Sequence, residues 1–226
     1  LTGTGFEADI KSITRTDLVS FHQKWFVPNT STLLVVGDIT AAELKTKLEA
    51  SLGGWKQKPV PTKNITEVAL PNIPNVYIMD KPDALQSIIF SAELAPSAKT
   101  PDWMNAEMMN RILGGEFTSR INMNLREDKH WSYGSGSFMY DAKGQGMFIS
   151  YAPVQTDKTK ESIVELKKEI ELYLTTKPPT TEEFQKVQQN AIMQLPGGWE
   201  TNNAVISSLQ EQVQYNRGTD YWPNYA

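Results

Sequence analysis

Asn110-Arg111-Ile112-Leu113-Gly114-Gly115, then Thr118-Ser119-Arg120, Leu125-Arg126-Glu127-Asp128-Lys129 and Trp131-Ser132-Tyr133-Gly134, form the passage whose reading decides the fold. Met104, Met108 and Ile112 recur at helical spacing and stop at the double glycine, the residue type that most often ends a helix. A short helix is expected from Thr118 to Asp128. Tyr133 to Tyr140 and Gln145 to Pro153 then read as strands around Asp141-Ala142-Lys143-Gly144, a hairpin-like turn closing on glycine. Working outward, Thr100-Pro101-Asp102 marks the first helix's start, with Thr as cap and Pro at the first helical position. Val76 to Met79 and Gln86 to Glu93 precede it as strands. Downstream, Thr159 to Leu174 is amphipathic through Ile163, Leu166, Ile170 and Leu174. Thr180-Thr181-Glu182-Glu183 caps a helix to about Leu195, and Glu200 to Val213 reads as another. Strands, helices, a hairpin, then helices make an α+β arrangement, with an antiparallel or mixed sheet packed in a layer against helices.

The N-terminal part reads separately. Thr14-Arg15-Thr16-Asp17 is a capping-box start for a helix carrying Leu18, Phe21, Trp25 and Phe26, ending before Pro28. Thr32-Leu33-Leu34-Val35-Val36 reads as a fully buried strand stopped by Gly37-Asp38. Thr40-Ala41-Ala42-Glu43 opens a second helix with Leu44, Leu48 and Leu52 on one face. Pro59, Pro61, Pro71 and Pro74 then stand among polar residues with no sustained period, as in a semi-rigid linker. The expected organisation is residues 1–57 as a helix-strand-helix tail, 58–75 as linker and 76–226 as the main domain.

Composition sets limits. The 226 residues can build a sizeable core, and 39% apolar with 21% charged residues is ordinary globular usage. With 22 Lys+Arg against 26 Asp+Glu there is no basic surplus to neutralise a phosphate backbone, which argues against nucleic acid. No apolar run approaches the ~20 residues of a membrane span. Absence of cysteine removes thiolate chemistry and Cys-ligated zinc, and suits a reducing cytosol or a secreted protein alike. Of these the extracytoplasmic, periplasmic setting is preferred. Leu1-Thr2-Gly3-Thr4-Gly5 has no charged or apolar stretch of a targeting segment, and the chain is expected to come from a longer one.

The passage from Asn110 to Gly134 closely resembles the pitrilysin/insulinase-type zinc peptidases, the inverted zincins. Pro28-Asn29, Gly37-Asp38, Gly54-Trp55, Asp80-Lys81-Pro82 with Gln86-Ser87, and Leu195-Pro196-Gly197-Gly198 with Glu200-Thr201 extend the resemblance over nearly the whole chain. It implies a metallopeptidase half-domain of the mitochondrial processing peptidase type. In that family one half carries zinc on an H-x-x-E-H helix and the other faces it across a cleft. Here His22 is followed by Gln23-Lys24-Trp25 and His130 by Trp131-Ser132-Tyr133, so the motif is absent. The chain is expected to be the non-zinc half, with no metal and no cofactor of its own, zinc lying in the partner half, and no hydrolysis by this chain alone.

The resemblance also implies that Arg126 and Tyr133 are substrate-binding and point into the cleft. A guanidinium can hold a peptide carbonyl or carboxylate through paired hydrogen bonds, and a phenol can donate to a developing oxyanion. From spacing alone another reading stays open: a surface Arg126 paired to Glu127 or Asp128, and a Tyr133 in the core. His130 stands where the family usually has Gly, so a positive φ there would strain it. Trp131, Phe138 and Tyr140 surround the expected cleft strand and suit either substrate contact or core packing. A hydrolase built from His130, Asp128 and Ser132 is geometrically thin, because residues so close on one loop rarely align.

Two functions are carried forward. The chain is a peptide-binding, oxyanion-stabilising half of a zinc endopeptidase, partnered by a zinc-bearing half in the same protein or a separate subunit. Alternatively it is a structural or assembly module of the same fold. The resemblance further implies that residues 14–55 belong to the preceding half and fill a vacancy in 76–226, within one chain or as an exchanged homodimer.

Overall fold

The computed structural model describes residues 5–225. Leu1-Thr2-Gly3-Thr4, where no targeting segment was expected, lies outside the described residues. The chain divides into two compact units, one up to Ile65 and one from Thr66 onwards.

In the first unit α1 (Glu7–Ser12), α2 (Arg15–Trp25) and α3 (Ala41–Leu52) are set by local chemistry. Thr14 accepts from the Asp17 amide at 3.3 Å while the Asp17 carboxylate accepts from the Thr14 amide at 2.8 Å. Thr40 and Glu43 repeat the box at the head of α3. Each satisfies orphan donors of the first helical turn and suits the positive end of the helix dipole. Asn29 ties the turn after α2 to the segment after α3, donating to the Lys58 carbonyl at 3.1 Å and accepting its amide at 3.3 Å. The buried strand expected at Thr32–Val36 is not present: these residues form no ladder, and Leu33 and Val35 are exposed. Apolar, β-branched residues favour an extended backbone, but a strand exists only where a neighbour pairs with its amides and carbonyls. Val76 to Met79 likewise forms no strand, and all four side chains are exposed.

The second unit is built on a three-stranded antiparallel sheet of β1 (Gln86–Ala95), β2 (Gly136–Tyr140) and β3 (Gly146–Gln155), in the order β1-β3-β2. Ser87 faces Val154, and Ser137 faces Ser150. The period of two turns Ala152 and Val154 inward and leaves Ile88, Phe90, Phe138 and Tyr140 on the outer face. Helices α4 (Trp103–Asn110), α5 (Arg120–Asn122), α6 (Thr159–Leu174) and α7 (Thr181–Gln194) contribute to this unit, and α8 (Asn202–Tyr215) ends it. Ile112, Leu113, Ile121, Leu125, Leu166, Tyr173 and Val187 meet Ala152 and Val154 in one core. The Tyr173 hydroxyl donates to the Met109 carbonyl at 2.9 Å, and burial pushes this phenol up to about 12. The α+β class is as expected, with the sheet antiparallel. At the start of α4, however, Asp102 takes the cap position and no side chain caps the helix, so Thr100 does not play its expected part.

The spacing around the double glycine has a packing cause beyond stopping a helix. Residues Arg111–Gly115 widen into a π-helical turn that presses on β2. A Cβ on Gly114 would fall 2.3 Å from the Ser137 amide nitrogen and 2.8 Å from the Gly136 carbonyl carbon, so only glycine fits. Asn110 locks the same junction: its amide donates to the Ser137 carbonyl at 3.2 Å and accepts the Ser137 hydroxyl at 2.6 Å. Arg120 is a second lock. It grips Glu183 through Nε and Nη2, both at 2.7 Å, donates to the Pro178 carbonyl at 3.0 Å and reaches the Lys177 carbonyl. These bonds hold the Glu183 carboxyl down at about 2.

Candidate functional site

Arg126 stands on the last turn of the helix that begins as α5 and continues as a π-helical stretch, Met123–Asp128. Its neighbour Leu125 is 1% exposed and anchors that turn in the core. The chain then reverses sharply. The His130 amide donates to the Arg126 carbonyl at 3.2 Å, the Trp131 amide donates to the Leu125 carbonyl at 3.0 Å, and Ser132 bridges to Val154 of β3. His130 makes the reversal in the left-handed region, with φ 57° and its Nδ1 at 3.0 Å from the Arg126 carbonyl oxygen. A glycine at this position would have a backbone reason, and His130 carries the strain expected of it.

This reversal brings the two candidate residues together. The Arg126 guanidinium carbon lies 5.2 Å from the centre of the Tyr133 ring. Tyr133 is 84% exposed, so it is no core residue. Arg126 Nε is 3.2 Å from the Glu127 carboxylate, one of the pairings spacing had left open, while its terminal amino groups make no hydrogen bond to a described residue. A second aromatic, which sequence reasoning missed, completes the arrangement: the Phe117 ring centre lies 4.5 Å from the same guanidinium carbon. Phe117 sits in a polar turn outside any apolar period, and the one available signal was an exposed aromatic where no core called for it. The result is a planar cation held by two rings, with a phenol and two amino groups free to donate.

Other candidates are accounted for differently. Ser132 Oγ lies 2.6 Å from the Pro153 carbonyl oxygen and accepts from Ser135 Oγ at 2.9 Å, which occupies it in holding the loop to β3. His130 is bonded back to Arg126, so Asp128, His130 and Ser132 form no relay. Trp131 packs against the core, whereas Phe138 and Tyr140 lie on the outer sheet face with rings 6.2 Å apart. His22 stacks on Phe26 at 4.8 Å on α2. Among the described residues no group of three or more His, Asp or Glu side chains could hold a metal ion. The donor set therefore does not fit a catalytic zinc, which needs three protein ligands and an open position.

Comparison with known proteins identifies the family of the chain. The family model described as the peptidase M16 inactive domain matches residues 12–191. The chain is 24% identical to the zinc protease PqqE of Helicobacter pylori over 154 residues, 67% of this chain and 34% of that protein. Among solved structures, a peptidase M16 inactive domain from Pseudomonas fluorescens superposes with TM-score 0.83 at 20% identity, covering 98% of this chain and 52% of that one. The periplasmic protease PqqL of Escherichia coli superposes with TM-score 0.75 at 16% identity, covering 96% of this chain and 24% of that one. The chain thus spans about a third of the length of the curated relative it matches. No helix among the described residues is long and apolar enough to cross a membrane. With four-fifths of its length matched by that model and no zinc-binding motif in its sequence, the chain belongs to the peptidase M16 inactive-domain family, the non-zinc half of insulinase-type zinc peptidases.

Proposed function

We propose that this chain is the substrate-facing wall of a zinc endopeptidase whose hydrolytic centre lies in a partner half. Arg126 would hold a peptide carbonyl or carboxylate through its free amino groups, and Tyr133 would donate its phenolic proton in a hydrogen bond to the oxyanion that develops at the scissile carbon. The supporting observation is the pair itself, a guanidinium on the last helical turn 5.2 Å from the ring of an exposed phenol on the loop that follows. Such donors act best when already aimed before the reaction begins, because no reorganisation is then required. A periplasmic setting is in keeping with the E. coli relative, which is described as periplasmic.

The test adds this chain to the purified zinc-bearing half and follows peptide cleavage. Tyr133→Phe is expected to lower kcat by about 10²-fold, as for loss of one oxyanion donor, and Arg126→Ala to raise KM. If both variants support cleavage as well as the unmodified chain, the two roles are wrong. A second reading, an assembly module of the same fold, draws on the outer sheet face, where Ile88, Phe90, Phe138 and Tyr140 are all exposed. It is favoured if the chain binds the zinc half tightly yet leaves its cleavage rate unchanged.

A further inference from the structure

We propose that Phe117 and Asn122 are positioning residues for Arg126 and Tyr133, making the guanidinium a pre-aimed planar fork; the inference rests on the function proposed above. A partly exposed arginine samples many rotamers, and two aromatic faces packed against it restrict it to those that keep the guanidinium over both rings. Phe117 supplies one of these faces at 4.5 Å and Tyr133 the other at 5.2 Å. Phe117 is 60% exposed, which burial of its ring in the core cannot explain and the stack does.

What sets the distance between the two rings is a single buried amide. Asn122, 4% exposed, lies on the same helix as Arg126. Its Nδ2 donates to the Phe117 carbonyl at 2.6 Å, and its Oδ1 accepts the Ser135 amide at 3.1 Å. One side chain thus ties the turn bearing Phe117 to the loop bearing Tyr133, with Arg126 between them. Glu127, 3.2 Å from Nε, holds the inner edge of the guanidinium and leaves the terminal edge to face a ligand. A planar acceptor, such as a peptide carbonyl pair or a carboxylate, matches that edge.

The test has two readouts. In the chain alone, the Arg126 side-chain Nε–H resonance is followed by NMR, and its neighbours' protons should carry the ring-current shift of Phe117. Phe117→Leu keeps an apolar side chain and loses the ring; the shift should vanish. Phe117→Tyr keeps the ring, and the shift should remain. Asn122→Asp retains the acceptor for Ser135 but loses the donor to Phe117, and should alter the shift of both Arg126 and Tyr133. In the mixture with the zinc half, Phe117→Leu should lower kcat/KM for a peptide about tenfold, with Phe117→Tyr restoring it. If Phe117→Leu leaves both the Arg126 resonance and cleavage unchanged while Arg126→Ala raises KM, the positioning role is refuted and the proposed function stands. If Arg126→Ala leaves cleavage unchanged, the functional reading fails, and the resonance alone then upholds or refutes the stack. Because Phe117 lies at the surface, its variants keep the question open to refutation even if Asn122→Asp fails to fold.

Discussion

Up to Ile65 the chain buries one hydrophobic side chain among its described residues, Val27, whereas from Thr66 onwards nine hydrophobic residues share a core between sheet and helices. Both units nevertheless have capped helices, and the caps at Thr14, Thr40 and Thr180 are built alike. Local chemistry is therefore equal in the two and burial is not. Capping and dipole effects settle where a helix begins, but the stability of a unit comes from apolar area removed from water. The first unit shows what secondary structure looks like with the former and little of the latter.

Core truncation should separate the units most. Leu125→Ala is expected to lower the unfolding free energy of the second unit by about 3 kcal/mol, read as a shifted urea midpoint. Leu33→Ala should change the first unit's own unfolding free energy by less than about 0.5 kcal/mol. Equal effects would mean that the first unit carries a core of its own.

Next in size is the Arg120–Glu183 grip. The Glu183 carboxyl sits at about 2 in the fold against a usual value of 4.5. Because the folded value is the lower one, its contribution is complete above about 4.5 and is lost as pH falls towards 2. Glu183→Gln should cost the second unit about 2 kcal/mol at neutral pH and flatten that part of its acid unfolding curve. A parallel pH profile in the variant would show that the grip contributes little.

Caps sharpen the comparison further. Thr180→Ala should cost about 1 kcal/mol within the cooperative transition of the second unit. Thr40→Ala should appear as lost helical circular dichroism in the first unit without moving that transition. The smallest effect is expected at His130→Gly, which relieves the left-handed strain and should stabilise the second unit by about 0.5 kcal/mol; a loss of stability would mean that the His130 contact to the Arg126 carbonyl outweighs the strain.

Much of this was legible in the sequence, for reasons that differ by element. The capping boxes and the β2–β3 hairpin are written in residues a few positions apart, and they form near where the sequence predicts, although β2 begins at Gly136 and leaves Tyr133 in the preceding loop. Thr32–Val36 and Val76–Met79 misled because an apolar, β-branched run states a preference for extended backbone but not whether a partner strand exists. Gly114 was legible as a glycine and not as a contact, since its reason is Ser137, 23 positions away. At the site, Arg126 and Tyr133 came from resemblance, and their approach depends on a reversal at His130 that spacing could not dictate. Phe117 was hidden because its partner is a cation in another turn rather than a hydrophobic neighbour at helical spacing.

The outer face of the sheet has a practical consequence at the bench. Gln86, Ile88, Phe90, Ala92 and Leu94 of β1, with the outward residues of β2 and β3, include no Asp, Glu, Lys, Arg or His. Colloidal repulsion from that side is therefore missing, and sulfate or phosphate, which strengthen apolar association by their exclusion from protein surfaces, should drive molecules together face to face. Light scattering of the isolated chain is expected to rise with sulfate concentration, and Phe90→Lys to suppress the rise.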